Sequence, residues 1–209
     1  MAHFDKKEHW QKVYREKDEA QVSWFQKEPA LSLELINHCD LALSDPIIDV
    51  GGGTSTLVDH LLYRGYSDLT VLDIAATALA GSRRRLGAEA CRVEWIESDV
   101  TAYRPEKQYA LWHDRATFHF LTTPEDRARY VDTLKKALRP GGHLILASFA
   151  THGPSQCSGL PVVHYNARTL LSELGPGFRL LEEQSERHLT PDQRIQDFTY
   201  FRLILTGSA

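Results

Sequence analysis

Long apolar runs are missing from this 209-residue sequence: no stretch approaches the ~18 residues that a membrane-spanning helix needs. The opening, MAHFDKKEHW, lacks the apolar core of a secretory signal, so a soluble, cytoplasmic chain is expected. Cysteine is scarce. Cys39, Cys91 and Cys157 are odd in number, far apart and without a CxxC pair, which argues against a disulfide framework or a zinc knuckle and suits a reducing compartment. A basic excess is missing too: Lys+Arg 24 stand against Asp+Glu 28, a formal charge of −4, so no nucleic-acid-binding surface is expected. No repeat, low-complexity tract or linker divides the chain.

What is present is 42% hydrophobic residues, enough for a sizeable core. From residue 46 onward, short apolar runs alternate with amphipathic stretches. PIIDV reads as a buried strand, and TSTLVDHLLYRG as a helix that Thr54 or Ser55 can cap and Gly65 can stop. LTVLDI, CRVEWIESD, YALWHD and HLILASF read as further strands. AATALAGSRRRLG is a helix weakened by Gly81, and in TPEDRARYVDTLKKALRPGG Thr123 caps, Pro124 takes the first turn and Lys/Arg crowd the end. This alternation predicts parallel strands with right-handed crossovers, a single Rossmann-like doubly wound α/β sheet with helices on both faces. The tail differs. After the helical NARTLLSELGPG, two strand-like runs with no helix between them predict an antiparallel pair closing one edge. Residues 1–45, with a helix starting at Pro29, are expected to form a helical lid or cap on a domain of residues 46–209.

The stretch IIDVGGGTSTL joins a strand to a helix through Gly51, Gly52 and Gly53 at the sheet end where such folds bind ligands. Glycines there let a ligand touch the main chain where a Cβ would collide. Asp73, ending the second strand, can grip ribose hydroxyls, so a ribonucleoside is expected. A dinucleotide site wants a third glycine or alanine; here the run continues Thr54-Ser55-Thr56. Asp49 would repel a pyrophosphate and attract a cation. Charge therefore favours S-adenosylmethionine, which carries an ammonium and a sulfonium and no phosphate.

IIDVGGGTS, VLDI, SDV, WHDRATFHFL and LRPGGHLIL, in this order and spacing over residues 46–149, resemble the class I S-adenosylmethionine-dependent methyltransferases. The resemblance implies the fold above with a reversed last strand. It implies that Gly51 and Gly53, with Thr54, lie under the methionine part of the cofactor and Asp49 near its ammonium. It further implies that Asp73 holds the ribose, Ile74 and Val100 cover the adenine, and Asp99 accepts from its amino group. The HDR sequence resembles thiopurine-methyltransferase-like enzymes. HWQKVYREKDEAQVSWFQ resembles the N-terminal segment of that branch and equally of small lysine methyltransferases. Its Trp10, Tyr14 and Trp24 are expected to close over the cofactor and face the sulfonium.

Asp114, Arg115 and His113 fall where the resemblance places residues near the methyl group. An aspartate or histidine there could accept a proton, and Arg115 could hold an anionic substrate; the alternative is a structural ion pair of Asp114 with Arg115. His113, His119, Cys157, His164 and His188 lack the spacing of a metal site, and none is expected. The function expected is methyl transfer to a small molecule, with a thiol or related soft acceptor in view and a protein lysine as the alternative. The protein is expected to work as a monomer or weak dimer, away from membranes.

Overall fold

A computed structural model describes residues 5–207, so the ends of the two expected segments, residues 1–4 and 208–209, lie outside it. Strands β1 (Ile47–Val50), β2 (Leu69–Asp73), β3 (Val93–Glu97), β4 (Tyr109–Arg115) and β5 (Leu138–Phe149) are parallel, and β8 (Phe178–Leu189) pairs antiparallel with β9 (Ile195–Leu205). One seven-stranded sheet results, in the order β3-β2-β1-β4-β5-β9-β8, with β9 reversed against β5. A short hairpin, β6 (Gln156–Cys157) and β7 (Leu160–Pro161), was not legible in the sequence because two-residue strands carry no periodic signal.

The central strands are continuous apolar runs because helices bury both of their faces. Ile47, Val71, Leu111 and Ile145 meet α2 (Ala30–Asn37) and α3 (Leu57–Tyr63) on one side. Ile48, Leu72, Trp112 and Leu144 meet α5 (Pro124–Ala137) and α6 (Ala167–Leu174) on the other. The caps follow local chemistry. Thr123 accepts from the Asp126 amide at the start of α5, and the Asn166 side chain accepts from the Thr169 amide at α6. The cap of α3 differs from expectation: the N-cap is Thr56, whose hydroxyl donates to the Gln26 carbonyl, while Ser55 Oγ accepts from the Leu57 amide. α4 (Ala76–Leu86) runs through Gly81 unbroken.

The N-terminal residues split in two. α2 belongs to the core, with Leu33, Leu35 and Ile36 each at most 1% exposed. α1 (Lys6–Glu16) has no buried residue. It lies across the carboxyl ends of the strands, where Lys6 pairs with Asp126 at 2.7 Å and the Gln11 side chain accepts from the Thr77 amide at the start of α4. The part of the chain that overlies the sheet end therefore stops before Ala30. No helix among the described residues is long and apolar enough to cross a membrane.

Candidate active site

The carboxyl ends of β1 to β4 and the residues of α1 enclose a cavity of about 380 Å³. A second recess of about 40 Å³ sits beside it under the glycine loop, and Tyr14, Trp24, Gly51 and Arg115 line both. The loop is tight for reasons internal to the fold. At Gly51, where φ is +67°, a Cβ would lie 1.8 Å from Thr117 Oγ1; at Gly53, where φ is +30°, one would lie 2.7 Å from Asp73 Oδ2. The glycines thus admit neighbouring side chains as closely as they would admit a ligand.

Each acidic group is set by its strand end. Asp73 Oδ1 accepts from the Ala75 amide at 2.8 Å, and burial pushes its carboxyl up to about 7, with Asp49 adding to the rise. Asp99, after β3, accepts from both the amide and the hydroxyl of Thr101, and it lines the large cavity with Ile74 and Val100. Asp49 turns Oδ1 to His113 Nδ1 at 2.7 Å, while Oδ2 is buried without a partner. Thr54 lines the smaller recess together with Asp49.

Aromatic rings form the roof. Trp10 stands edge-on to Phe120 (centroids 5.0 Å apart) and to Trp24 (5.8 Å), and Tyr14 stands edge-on to Trp24 (6.2 Å). Arg115 holds the roof to the far edge of the sheet. Its Nη1 donates to the Trp24 carbonyl at 3.0 Å, its Nε to the Tyr200 hydroxyl at 2.7 Å and its Nη2 to Glu186 at 3.3 Å, and its guanidinium lies 4.3 Å from the centre of the Phe198 ring.

The large cavity thus reaches buried Asp73, and the adjoining recess reaches Asp49, whose Oδ2 is unpartnered. Residues 47–142 match the family model described as a methyltransferase domain. Over that stretch the chain is similar to a methyltransferase domain, and its sheet order is the fold of solved S-adenosylmethionine-dependent methyltransferases. The chain is 29% identical over 152 residues to the malonyl-[acyl-carrier protein] O-methyltransferase 1 of Ilyobacter polytropus, covering 72% of this chain and 51% of that protein. It is 25% identical over 193 residues to the EEF1A lysine methyltransferase 2 of Danio rerio, covering 85% of this chain and 76% of that one. A solved SAM-dependent methyltransferase from Anabaena variabilis superposes with a TM-score of 0.76 at 15% identity, over 97% of this chain and 96% of its own. The chain thus spans about half the length of the Ilyobacter relative.

The structure also separates the three residues expected near the methyl group. Only Arg115 lines the large cavity; His113 lines the recess behind it, and Asp114 lines neither. Asp114 is fully buried on the opposite face of β4, where it accepts from the Thr117 and Phe118 amides and, at 2.6 Å, from the Tyr130 hydroxyl. Burial pushes its carboxyl up to about 6. Asp114 is a cap for the turn after β4, satisfied by its neighbours and closed to substrate, and its expected partner Arg115 pairs with Glu186 instead. The period-two alternation of a strand is the reason: His113 and Arg115 share one face and Asp114 the other.

Lys6, Phe120 and Leu160 line the cavity without having been assigned to it from sequence, and Cys157, in a loop that the sequence turns toward the site, lines it too. Burial pushes the Cys157 thiol up to about 11, so it stays protonated at neutral pH. Near the cavity floor, His119 is buried with both ring nitrogens unpartnered and its pKa lowered by burial to about 3, so it is neutral. Among the described residues no three His, Cys, Asp or Glu side chains gather as a metal site.

Proposed function

We propose that this methyltransferase moves the methyl group of S-adenosylmethionine to a small-molecule nucleophile, with thiols and related soft acceptors as the preferred class. The observation that carries the reading is the make-up of the cavity wall, two carboxylates among mostly apolar and aromatic side chains. The carboxylates Asp73 and Asp99 line the cavity together with Ile74 and Val100, and so do Trp10, Phe120, Cys157 and Leu160, while the two lining cations, Lys6 and Arg115, are paired with Asp126 and Glu186. The cofactor supplies a methyl carbon already activated by a sulfonium, so the protein's work is alignment and exclusion of water.

In this reading Asp73 takes the ribose hydroxyls, Ile74 and Val100 sandwich the adenine beside Asp99, and Gly51, Gly53 and Thr54 flank the amino-acid arm near Asp49. Tyr14 and Trp24 present ring faces that suit a sulfonium, and Trp10 closes the roof over it. Arg115 remains charged and orders the Trp24 main chain. No lining side chain at the acceptor end is a free base, so the acceptor must bring its own reactive form. A free thiol of pKa ~8.5 is a few per cent thiolate at neutral pH, whereas an amine of pKa ~10.4 is unprotonated in less than about 0.1% of molecules. That difference favours sulfur over a lysine side chain.

A protein-lysine acceptor is the second reading, favoured by the similarity to the Danio rerio lysine methyltransferase over most of both chains. One paired assay with tritiated cofactor separates them. Transfer to members of a thiol panel with an unlabelled cell lysate supports the first reading. A single labelled protein band with no thiol product overturns it.

A further inference from the structure

A hydrogen-bonded chain runs from Asp49 through His113 to Ser32, and its last two members have no role in the reading so far. The parallel register of β1 and β4 sets Asp49 beside His113, both facing the side on which α2 packs. His113 Nδ1 meets Asp49 Oδ1 at 2.7 Å and His113 Nε2 meets Ser32 Oγ at 2.9 Å, with Ser32, His113 and Asp49 exposed by 0%, 2% and 4%. A carboxylate only accepts, so Nδ1–H donates to Asp49 Oδ1, while Nε2 is engaged by the Ser32 hydroxyl. Every polar atom of the His113 ring is thereby used to fix one oxygen of Asp49.

The other oxygen is what the chain leaves over. Asp49 Oδ2 is buried and unpartnered, and a Cβ on Gly52 would come within 2.6 Å of it, so no side chain stands between it and the glycine loop. A buried acceptor without a partner is costly, and natural proteins retain one where a ligand completes it. The adjoining recess, about 40 Å³, has room for a water or an ammonium and none for a ring.

We infer that Ser32 and His113 are positioning residues that clamp Asp49 in one rotamer, so that its free oxygen receives the ammonium of the amino-acid arm, directly or through one bound water. The inference rests on the cofactor assignment above. It adds a function for α2: Ser32 makes a helix of the core part of the cofactor site.

The test is binding, measured by calorimetry with two probes that share the nucleoside. S-adenosylhomocysteine has the amino-acid arm; 5′-methylthioadenosine lacks it. Ser32→Ala and His113→Phe are expected to weaken S-adenosylhomocysteine, the second by about tenfold, and to change methylthioadenosine by less than about twofold. His113→Gln, whose amide can still donate to Asp49, is expected to recover most of the loss. Equal losses for both probes, or none for either, would overturn the inference while leaving the cofactor assignment standing. Wild-type protein that binds neither probe would overturn both. Ser32→Ala removes a single oxygen, so the arm-selective loss remains readable if His113→Phe fails to fold.

Discussion

The floor and the roof of the cavity are built by different physics. The floor is the end of the parallel sheet: β1 is buried along its whole length, and its neighbours pack under helices on both faces. The roof is α1, with no buried residue and held by ion pairs, a few hydrogen bonds and edge-on rings, and the segment through Trp24, anchored by buried Val22 and by Trp24 against the core. Apolar burial contributes ~25 cal/mol per Å² and acts through many contacts at once, whereas exposed ion pairs contribute ~0–1 kcal/mol each. The roof is therefore the region able to open at low cost, as a site that must admit a cofactor and then exclude water requires.

The largest test of this contrast removes the roof. Deleting residues 1–26 should leave a folded sheet domain, by circular dichroism and melting, with weaker cofactor binding and turnover reduced by about a hundredfold or more. Full turnover in the truncated protein would sink the idea that the roof closes the site. In the intact protein, hydrogen exchange over α1 should slow when cofactor is added; exchange already slow without ligand, and unchanged by it, would make α1 part of the floor.

The next effect lies on the floor. Asp73→Asn should weaken cofactor binding by about 1–3 kcal/mol, since ribose hydroxyls lose a charged acceptor. Wild-type affinity should also depend on pH. Burial holds the Asp73 carboxyl near 7, so below that the free protein carries a proton that the ribose hydroxyls must displace. Affinity should rise with pH up to about 7 and level off above it, with proton release on binding; the Asn variant should be flat. Calorimetry in buffers of different ionisation enthalpy measures both, and a flat wild-type profile would remove Asp73 from the ribose contact.

Asp114→Asn probes the back of the floor. An amide cannot accept from the Thr117 and Phe118 amides and from Tyr130 as the carboxylate does. The variant should lose about 1–3 kcal/mol of stability, or about 2–10 °C in Tm, with kcat within about twofold of wild type. A normal Tm with a large fall in kcat would return Asp114 to the chemistry. The smallest effect belongs to the rim of the roof: Lys6→Gln breaks the half-exposed pair with Asp126 and should cost less than about 1 kcal/mol, seen as faster exchange in α1 alone.

Much of the floor was legible in the sequence because its signals are local. Buried runs, the cap at Thr123 and the end of β2 at Asp73 each depend on residues within a turn or two of one another. Ile74, Asp99 and Val100, expected there only from the family resemblance, follow strand ends and line the cavity as well. The grouping of His113, Asp114 and Arg115 was less well read, because adjacency in sequence was taken for adjacency in space where strand alternation divides them.

The sequence by itself determined the order of strands and helices, the glycine loop and the acids after β2 and β3, since periodicity and turn chemistry act over a few residues. Only the tertiary structure decided that Asp114 faces the opposite core, that Arg115 ties Trp24 to Glu186 and Tyr200, and that Ser32 reaches His113 across 81 positions and His113 reaches Asp49 across 64. Those contacts arise when the crossovers stack distant segments on one sheet, and such stacking depends on the packing of whole faces, which no local stretch encodes.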